Sequence, residues 1–155
     1  MKTLLMTLVM VSALMLGTVN SVQAGCESTT TCKPADTGIA FFQGTWSEAL
    51  AAAKKQKKLI FVDAYAVWCG PCKYMANNVF TDKAVGEFFN KNFINYKFDM
   101  EKGEGPEFAG KYQVQAYPTL IFVDYAGVVL YRQMGARDAD GFIKLGEEAL
   151  ATIKK

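Results

Sequence analysis

The stretch LIFVDAYAVWCGPCK, residues 59–73, decides the fold. Leu59–Val62 is a continuous apolar run, which is typical of a buried strand. Two cysteines follow at the point where this strand passes into a helix. Pro71 favours a helix start there, because its φ is already helical and it has no N–H to leave unpaired. The stretch therefore predicts Cys69 at the N-terminus of a helix and Cys72 one turn further in.

This placement predicts redox chemistry. The first turn of a helix carries unpaired N–H groups and the positive end of the macrodipole, and both favour a thiolate at Cys69. The thiolate is the form that attacks disulfides. Gly70 leaves the approach to Cys69 open, and the two-residue spacing lets both sulfurs join in a short disulfide. We expect Cys69 to attack a substrate disulfide and Cys72 to resolve the mixed disulfide that results.

Two other interpretations of the cysteine pair stay open from spacing alone. A Cys-x-x-Cys pair also supplies two ligands of a four-cysteine zinc site, for which Cys26 and Cys32 would have to provide the rest. A purely structural disulfide is the other alternative, although closing so short a loop adds little stability. The strand-to-helix setting favours a redox pair over both, and no metal site is predicted.

Outward from this stretch, the apolar patterns predict an α/β domain of order β-α-β-α-β-α-β-β-α. A crossover followed by a hairpin turn at 124–127 implies a mixed β-sheet with helices on both faces. Thr45 and Glu48 form a capping-box pattern, and Asp138 is a candidate cap for the last helix, which we expect to bury Ile153. The predicted strands are 39–43, 59–65, 93–99, 119–124 and 128–134, and the predicted helices are 46–57, 73–79, 82–90, 107–112 and 139–153.

Residues 68–73, WCGPCK, resemble the active-site motif of the thioredoxin family, and the resemblance extends over residues 39–155. Asp63, six residues before Cys69, matches the buried acid of that family. Residues 117–119, YPT, resemble its cis-proline loop, and Gly135 matches its late glycine. The resemblance implies a thioredoxin fold, with a central mixed sheet flanked by helices, and a protein-disulfide oxidoreductase.

The resemblance also implies roles for individual residues. Asp63 would accept the proton of Cys72, and burial would raise its pKa toward the working range. Tyr117 and Pro118 would offer backbone groups to a substrate strand. The family often places a lysine near the acid; counting from Asp99, Asn95 fits that position better than Lys97. The implied substrate-binding residues are Trp68, Gly70, Pro71, Tyr117 and Pro118.

Composition excludes several other classes of activity. The chain has 155 residues, no histidine and a net charge of +2. Without histidine it has no Ser-His-Asp triad, no Cys-His dyad and no histidine-bearing zinc site. A net charge so close to zero gives no reason to expect nucleic acid as a partner. No nucleotide-binding motif or other cofactor signature is present, so electrons would have to come from another thiol–disulfide protein, such as a membrane-bound relay.

The N-terminal segment predicts export. Lys2 precedes an apolar run of about a dozen residues, shorter than the ~20 that a membrane-spanning helix needs, and residues 22–24, VQA, are a plausible cleavage site. We therefore expect a signal peptide at 1–24, a flexible tether at 25–38 and the domain at 39–155, in the periplasm or an equivalent compartment. Cys26 and Cys32 either form a tether disulfide, or Cys26 is lipidated and anchors the protein.

The expected function is an exported thiol–disulfide oxidoreductase that reduces disulfides of proteins or peptides. Residues 80–82, FTD, are similar to the periplasmic thioredoxin-like domain of transmembrane thiol–disulfide interchange proteins, which agrees with export. A disulfide isomerase or oxidase is the alternative within the same chemistry. A redox-inert module that binds peptides at Tyr117-Pro118 is the alternative outside it.

Overall fold

The apolar run of residues 59–62 begins the central strand of a mixed sheet. The computed structural model describes residues 38–154. Strand β1 (Leu59–Tyr65) is buried up to Ala64 and half-buried at Tyr65. It pairs in parallel with β2 (Phe93–Asp99) and antiparallel with β3 (Thr119–Val123). Strand β4 (Val129–Met134) pairs antiparallel with β3, which gives the order β2-β1-β3-β4. This mixed sheet confirms the predicted α/β class.

Helices flank both faces of the sheet. The helix that carries Cys72, α2 (Gly70–Tyr74), continues directly into a π-helical turn, Met75–Val79, and the last helix ends in a 3₁₀ turn, Thr152–Lys154. Within residues 38–154 the α-helices are α1 (Trp46–Gln56), α2 (Gly70–Tyr74), α3 (Lys83–Asn92), α4 (Gly105–Tyr112) and α5 (Ala139–Ala151).

The period-2 alternation of β1 divides the core between the two faces. Phe61 faces α3 and α5, where its ring lies 5.2 Å from that of Phe89 and 5.1 Å from that of Phe142. Ile60 and Val62 face α1 and α4. Burial on both faces explains why β1 is a continuous apolar run rather than an alternating one.

Side-chain caps set where three helices begin. Thr45 Oγ1 accepts the Glu48 N–H, and Glu48 Oε2 accepts the Thr45 N–H at 2.8 Å, so the predicted capping box is present. Asp82 caps α3 and Asp138 caps α5. Each cap satisfies an N–H that would otherwise lack a partner, and each begins its helix within a residue or two of the predicted start.

Two predictions about the ends of the domain are wrong. The predicted strand at 39–43 is absent; only an isolated bridge joins Phe41 to Asn95. The Ile39 N–H donates to the Phe80 carbonyl and the Ala40 N–H to the Asn90 side chain, so these two groups pair outside the sheet, whereas the Phe42 N–H donates to the Asn95 carbonyl of β2 at 2.7 Å. Ile153, predicted to face the core, is 57% exposed because α5 ends at Ala151.

The N-terminal predictions fall mostly outside the described residues. The expected signal peptide, nearly all of the expected tether, Cys26 and Cys32 precede residue 38. Gly38, the last residue of the expected tether, is buried, and its carbonyl accepts a hydrogen bond from Asn90 Nδ2 at 3.0 Å. None of the helices in residues 38–154 has the length and apolar character needed to span a membrane.

Candidate redox site

The turn after β1 places Cys69 at the start of α2, as predicted. The Cys69 N–H donates to the Ala66 carbonyl at 3.1 Å, which closes the turn. Cys69 has the extended backbone of an N-cap residue (φ −69°, ψ 114°), and its sulfur accepts the Cys72 N–H at 3.1 Å. Pro71 occupies the first turn, where its missing N–H costs nothing. The sulfur thus occupies the place of the side-chain oxygen that usually caps a helix.

Cys69 and Cys72 are joined to each other. Their sulfurs are 2.06 Å apart and their Cα atoms 5.3 Å apart, so the structure holds the pair in its oxidised form. The two residues are 3% and 4% exposed, and exposure therefore does not distinguish the expected nucleophile from the expected resolving cysteine. Their surroundings do: Trp68 and Gly70 on either side of Cys69 are exposed, whereas Cys72 lines a cavity that Asp63 also borders.

The Tyr117–Pro118 peptide bond is cis, and this loop packs against the cysteines. Pro118 is buried, and its carbonyl accepts the Gly135 N–H at 2.8 Å. Gly135 has a φ of +85°, a conformation that favours glycine. The backbone N–H and C=O of Tyr117 make no hydrogen bond to another of the residues 38–154. They are therefore free to pair with an added strand.

Trp68 forms the exposed wall of the site. Its side chain is 63% exposed, and its ring lies edge-on to that of Tyr117 with centroids 5.9 Å apart. The indole N–H donates to Glu101 Oε1 at 2.8 Å. Sequence reasoning missed Glu101, because it lies 33 residues after Trp68 in a loop without a motif.

Asp63 is buried behind the cysteines. It is 5% exposed, and its Oδ1 has no hydrogen-bond partner among residues 38–154. Burial raises the pKa of this carboxyl to about 7, although the positive charge of Lys97 opposes the shift. A carboxyl with a pKa near neutrality can both accept and return a proton at ordinary pH.

The lysine beside the acid is Lys97, and the expectation that Asn95 occupies this position is wrong. In the parallel register Tyr65 lies opposite Asp99, which puts Asp63 opposite Lys97. Asn95 is buried opposite Phe61 instead, and its Nδ2 donates to Asn90 Oδ1 at 3.0 Å. Counting along one strand could not fix the register between two strands.

A cavity of about 350 Å³ connects Asp63 with Cys72 and Lys97. Both residues that exchange a proton in the predicted mechanism therefore border the same space. The remaining lining residues are mostly apolar: Ile39, Phe41, Tyr65, Ala66, Val67, Lys73, Ala76, Phe80 and Thr81.

Comparison with known proteins places this site in a family. A family profile described as thioredoxin-like matches residues 41–124. Thioredoxin H3 of Arabidopsis thaliana is 40% identical over 78 residues, which cover 50% of this chain and 61% of that protein. The chain thus spans less than two thirds of the length of that relative.

Solved structures agree with the profile. A Bacteroides thetaiotaomicron protein named as a disulphide-isomerase superposes with a TM-score of 0.66 at 47% identity, covering 74% of this chain and 94% of that one. The oxidised C-terminal domain of Neisseria meningitidis DsbD superposes with a TM-score of 0.59 at 24% identity, covering 71% of this chain and 99% of that one. At this identity the similarity shows the fold alone. With the profile matching more than half of its length, the chain belongs to the thioredoxin-like family.

Proposed function

We propose that this protein is an exported thiol–disulfide oxidoreductase that reduces disulfides of proteins or peptides with the Cys69/Cys72 pair. One observation carries the proposal: the two sulfurs form a bond at a helix start, where the Cys69 sulfur already accepts the Cys72 N–H. The same N–H and the helix dipole favour the Cys69 thiolate once the pair is reduced.

The reaction proceeds in two exchanges. The Cys69 thiolate attacks one sulfur of the substrate disulfide, and the other substrate sulfur leaves as a thiolate. Cys72 then loses its proton and attacks the Cys69 sulfur, which releases the second substrate thiolate. The substrate gains two electrons, and the pair ends as the Cys69–Cys72 disulfide.

Asp63 is the proposed acceptor of the Cys72 proton. Both residues border one cavity, which gives the proton a path that avoids the docked substrate. A pKa of about 7 lets the carboxylate take a proton at neutral pH. Lys97, opposite Asp63 in the sheet, keeps part of the carboxyl population ionised.

The substrate docks across the cis-proline loop in this proposal. The free N–H and C=O of Tyr117 pair with an extended substrate strand next to Pro118. Trp68, Gly70 and Pro71 are exposed around the disulfide and contact the substrate residues that flank the bond under attack.

The net direction of the reaction depends on the reduction potential. Gly70-Pro71 between the cysteines resembles the reducing thioredoxins, which favours reduction, with electrons delivered by a membrane-bound or other thiol–disulfide partner. The 47% identity to a protein named as a disulphide-isomerase favours isomerisation as the second candidate. Equilibration with glutathione separates these: a potential near about −270 mV indicates a reductant, and one near about −120 mV an oxidant.

Insulin reduction by dithiothreitol tests the catalytic assignment. We expect the full chain to accelerate the reaction and Cys69→Ser to abolish the acceleration. Cys32→Ser is the matched control, since it removes a cysteine of the expected tether, and it should keep the wild-type rate. Full turnover by Cys69→Ser would eliminate the proposed nucleophile, and no turnover by the wild type would favour a redox-inert binding module.

A trapping experiment identifies the substrates. Cys72→Ser leaves the mixed disulfide unresolved, so clients should stay bonded to Cys69 and be released by dithiothreitol. The doubly substituted Cys69→Ser/Cys72→Ser protein controls for capture through the other cysteines. If the two variants capture the same proteins, a protein substrate at Cys69 is ruled out.

Export rests on the sequence of residues 1–24 alone. We propose cleavage after Ala24, or lipidation of Cys26, and location in the periplasm or an equivalent compartment. The intact mass of the protein purified from cells separates the two: a mass starting at Gly25 supports a tether with Cys26 and Cys32 bonded, and added lipid mass supports an anchor. An uncleaved chain in the cytoplasm would contradict export.

A further inference from the structure

The cavity next to the redox site is separate from the substrate-docking edge. Its lining includes Asp63 and Cys72 but not Cys69, Trp68 or the cis-proline loop. At about 350 Å³ it falls in the size range of pockets that bind small molecules. It therefore offers a second site that a bound protein substrate would not occupy.

One of the residues that border this cavity carries a buried polar atom without a partner. Asp63 lines the cavity, and its buried Oδ1 has no hydrogen-bond partner among residues 38–154. Leaving a buried polar atom unpaired costs free energy, and most buried polar atoms in folded proteins have a hydrogen-bond partner. When the carboxyl is protonated, its O–H becomes a donor for an acceptor in the cavity.

The charges around the cavity favour an anion. Lys97 and Lys73 line it, both side chains are exposed, and neither forms an ion pair within 4.0 Å with a described carboxylate. Asp63 is the sole acidic residue in the lining. With Asp63 protonated, the cavity therefore carries two positive charges and no negative one.

The remaining wall is apolar and aromatic. The rings of Phe41 and Phe80 meet edge-on with centroids 5.5 Å apart. Lys97 Nζ lies 5.2 Å from the centroid of Phe41, so a cation and an apolar surface adjoin. A ligand that satisfies both needs an anionic group at one end and a hydrocarbon body at the other.

We propose that this cavity binds a small organic carboxylate, with the carboxylate between Lys97 and Asp63 and the hydrocarbon body against Phe41 and Phe80. The anion is held on the Cys72 side of the disulfide, so Cys69 stays uncovered, and the ligand contacts Asp63, the proposed acceptor of the Cys72 proton. Because a negative charge on Asp63 would repel the ligand, binding tightens as pH falls through about 7.

Asp63 is the group that gives this dependence on pH. The other titratable residues of the lining are Tyr65 on β1, Lys97 on β2, and Lys73 and Cys72 on α2; the segment 39–41 contributes none. Cys72 is held in the disulfide. Burial and the nearby carboxylates raise the pKa of Tyr65 above its usual value near ~10, so it stays neutral between pH 6 and 8.

Octanoate titrated into the oxidised, ¹⁵N-labelled protein tests the site, with amide chemical shifts as the readout. Saturable shifts should appear at Ala76, Thr81 and Lys97, and the affinity should be at least about five-fold higher at pH 6 than at pH 8. Octanoate is ionised at both pH values. 1-Octanol and octylammonium, of the same chain length, should each bind at least about five-fold more weakly than octanoate at pH 6.

Matched variants localise the binding. Lys97→Gln should weaken octanoate binding at least about five-fold, whereas Lys111→Gln should leave it unchanged, although Lys111 also lies 5.2 Å from an aromatic ring. Ala76→Phe should fill the cavity and abolish binding, whereas Asn77→Phe adds the same ring outside the lining. Asp63→Asn should bind octanoate equally at pH 6 and pH 8.

Several results would overturn the proposal. Equal affinity for octanoate and 1-octanol would show that no anion is recognised. Wild-type affinity in Lys97→Gln or Ala76→Phe, or shifts centred on residues outside the lining, would place binding elsewhere. The ¹H–¹⁵N spectrum of each variant without ligand verifies folding. The insulin-reduction assay of Cys69→Ser tests the proposed redox function separately, whatever the octanoate titration shows.

Discussion

At the scale of single residues, the buried carboxyl of Asp63 lowers the stability of the fold at neutral and high pH, and it is the proposed acceptor of the Cys72 proton. The side chain is buried without a hydrogen-bond partner for Oδ1 among residues 38–154, so its charged form is penalised in the folded protein. Its folded pKa is about 7, against 3.8 for an exposed aspartate. Between these values the folded protein binds more protons than the unfolded one, so stability falls as pH rises from about 4 to about 7 and is level above that.

Asp63→Asn should therefore stabilise the protein at high pH. The pKa difference corresponds to roughly 4 kcal/mol at most, and we expect a gain of about 2–4 kcal/mol in the free energy of unfolding at pH 8. The gain should shrink toward zero at pH 4, where the wild-type carboxyl is protonated as well. Urea denaturation at both pH values measures this. Asp140→Asn, on the exposed first turn of α5, should change stability by less than about 0.5 kcal/mol.

The same substitution should slow disulfide reduction. Without an acceptor for the Cys72 proton, the resolving step loses its base, and we expect turnover at pH 7 to fall by about 10²-fold or more. The rate of insulin reduction between pH 6 and 9 provides the readout. An unchanged rate and pH profile in Asp63→Asn would remove this residue from the mechanism while leaving the stability prediction intact.

Sequence predicts residues of the site best where a local rule applies. Cys69, Pro71 and Cys72 lie within one turn of helix, so their spacing alone fixes their relative positions. Lys97 and Glu101 reach the site through strand register and a loop contact. These contacts depend on how segments far apart in the sequence pack together, so no local sequence pattern predicts them.

At the scale of elements, two glycines fix how the N-terminal segment crosses α3. A Cβ atom on Gly86 would lie 2.3 Å from the Gly38 carbonyl oxygen, closer than any side chain can approach. Gly38 has a φ of +92° and lies against the backbone of Phe80 and Thr81. The segment that lines one side of the cavity is thus held by a backbone-to-backbone contact.

Gly86→Ala should therefore destabilise the protein, by about 1–3 kcal/mol, because the added methyl group forces the two backbones apart. Gly110→Ala is the matched control, since Gly110 also lies in a helix but has open space around it. That change should stabilise the protein by about 0.5–1 kcal/mol through helix propensity. Thermal unfolding of both variants measures the difference; stabilisation by both would contradict the close contact.

The start of a helix could be predicted where a polar residue marks it. Thr45 and Asp138 each cap a helix as predicted, and Asp82, predicted as the first residue of its helix, is the residue that caps it. The apolar residues at 39–43 have the composition of a strand, yet the N–H groups of Ile39 and Ala40 pair with the Phe80 carbonyl and the Asn90 side chain, and the Phe42 N–H pairs with the edge strand β2. Composition does not reveal which N–H groups of a segment meet a neighbouring strand.

At the scale of the whole molecule, an aromatic cluster joins the sheet to α3 and α5. The rings of Phe89 and Phe142 stack with centroids 4.1 Å apart, and both contact Phe61 on the central strand. All three side chains are fully buried. This cluster packs against β1 through Phe61, in the strand that leads into the turn before Cys69.

Phe142→Ala should cost about 3–5 kcal/mol of unfolding free energy, because it removes a buried ring and leaves a cavity. Tyr125→Ala removes an aromatic ring that is 54% exposed on the hairpin turn, and it should change stability by less than about 0.5 kcal/mol. Urea denaturation compares the two. Similar small losses in both variants would mean that the cluster repacks and contributes little.

The layered architecture followed from the sequence because β1 is apolar on both faces, which requires helices above and below it. The arrangement of the strands also followed in outline, since a crossover and a hairpin admit few alternatives. The cavity could not be predicted from the sequence. It lies where residues 39–41, β1, β2 and the turn after α2 converge, and its volume depends on how these segments pack.

The most direct test is the pKa of the Cys69 thiol in the reduced protein, followed by thiolate absorbance at 240 nm, with Cys69→Ser subtracted to remove the other cysteines. Because the helix start stabilises the thiolate, the pKa should lie well below the ~8.5 of free cysteine. A pKa at or above ~8.5 would contradict the claim that the start of α2 makes Cys69 the nucleophile.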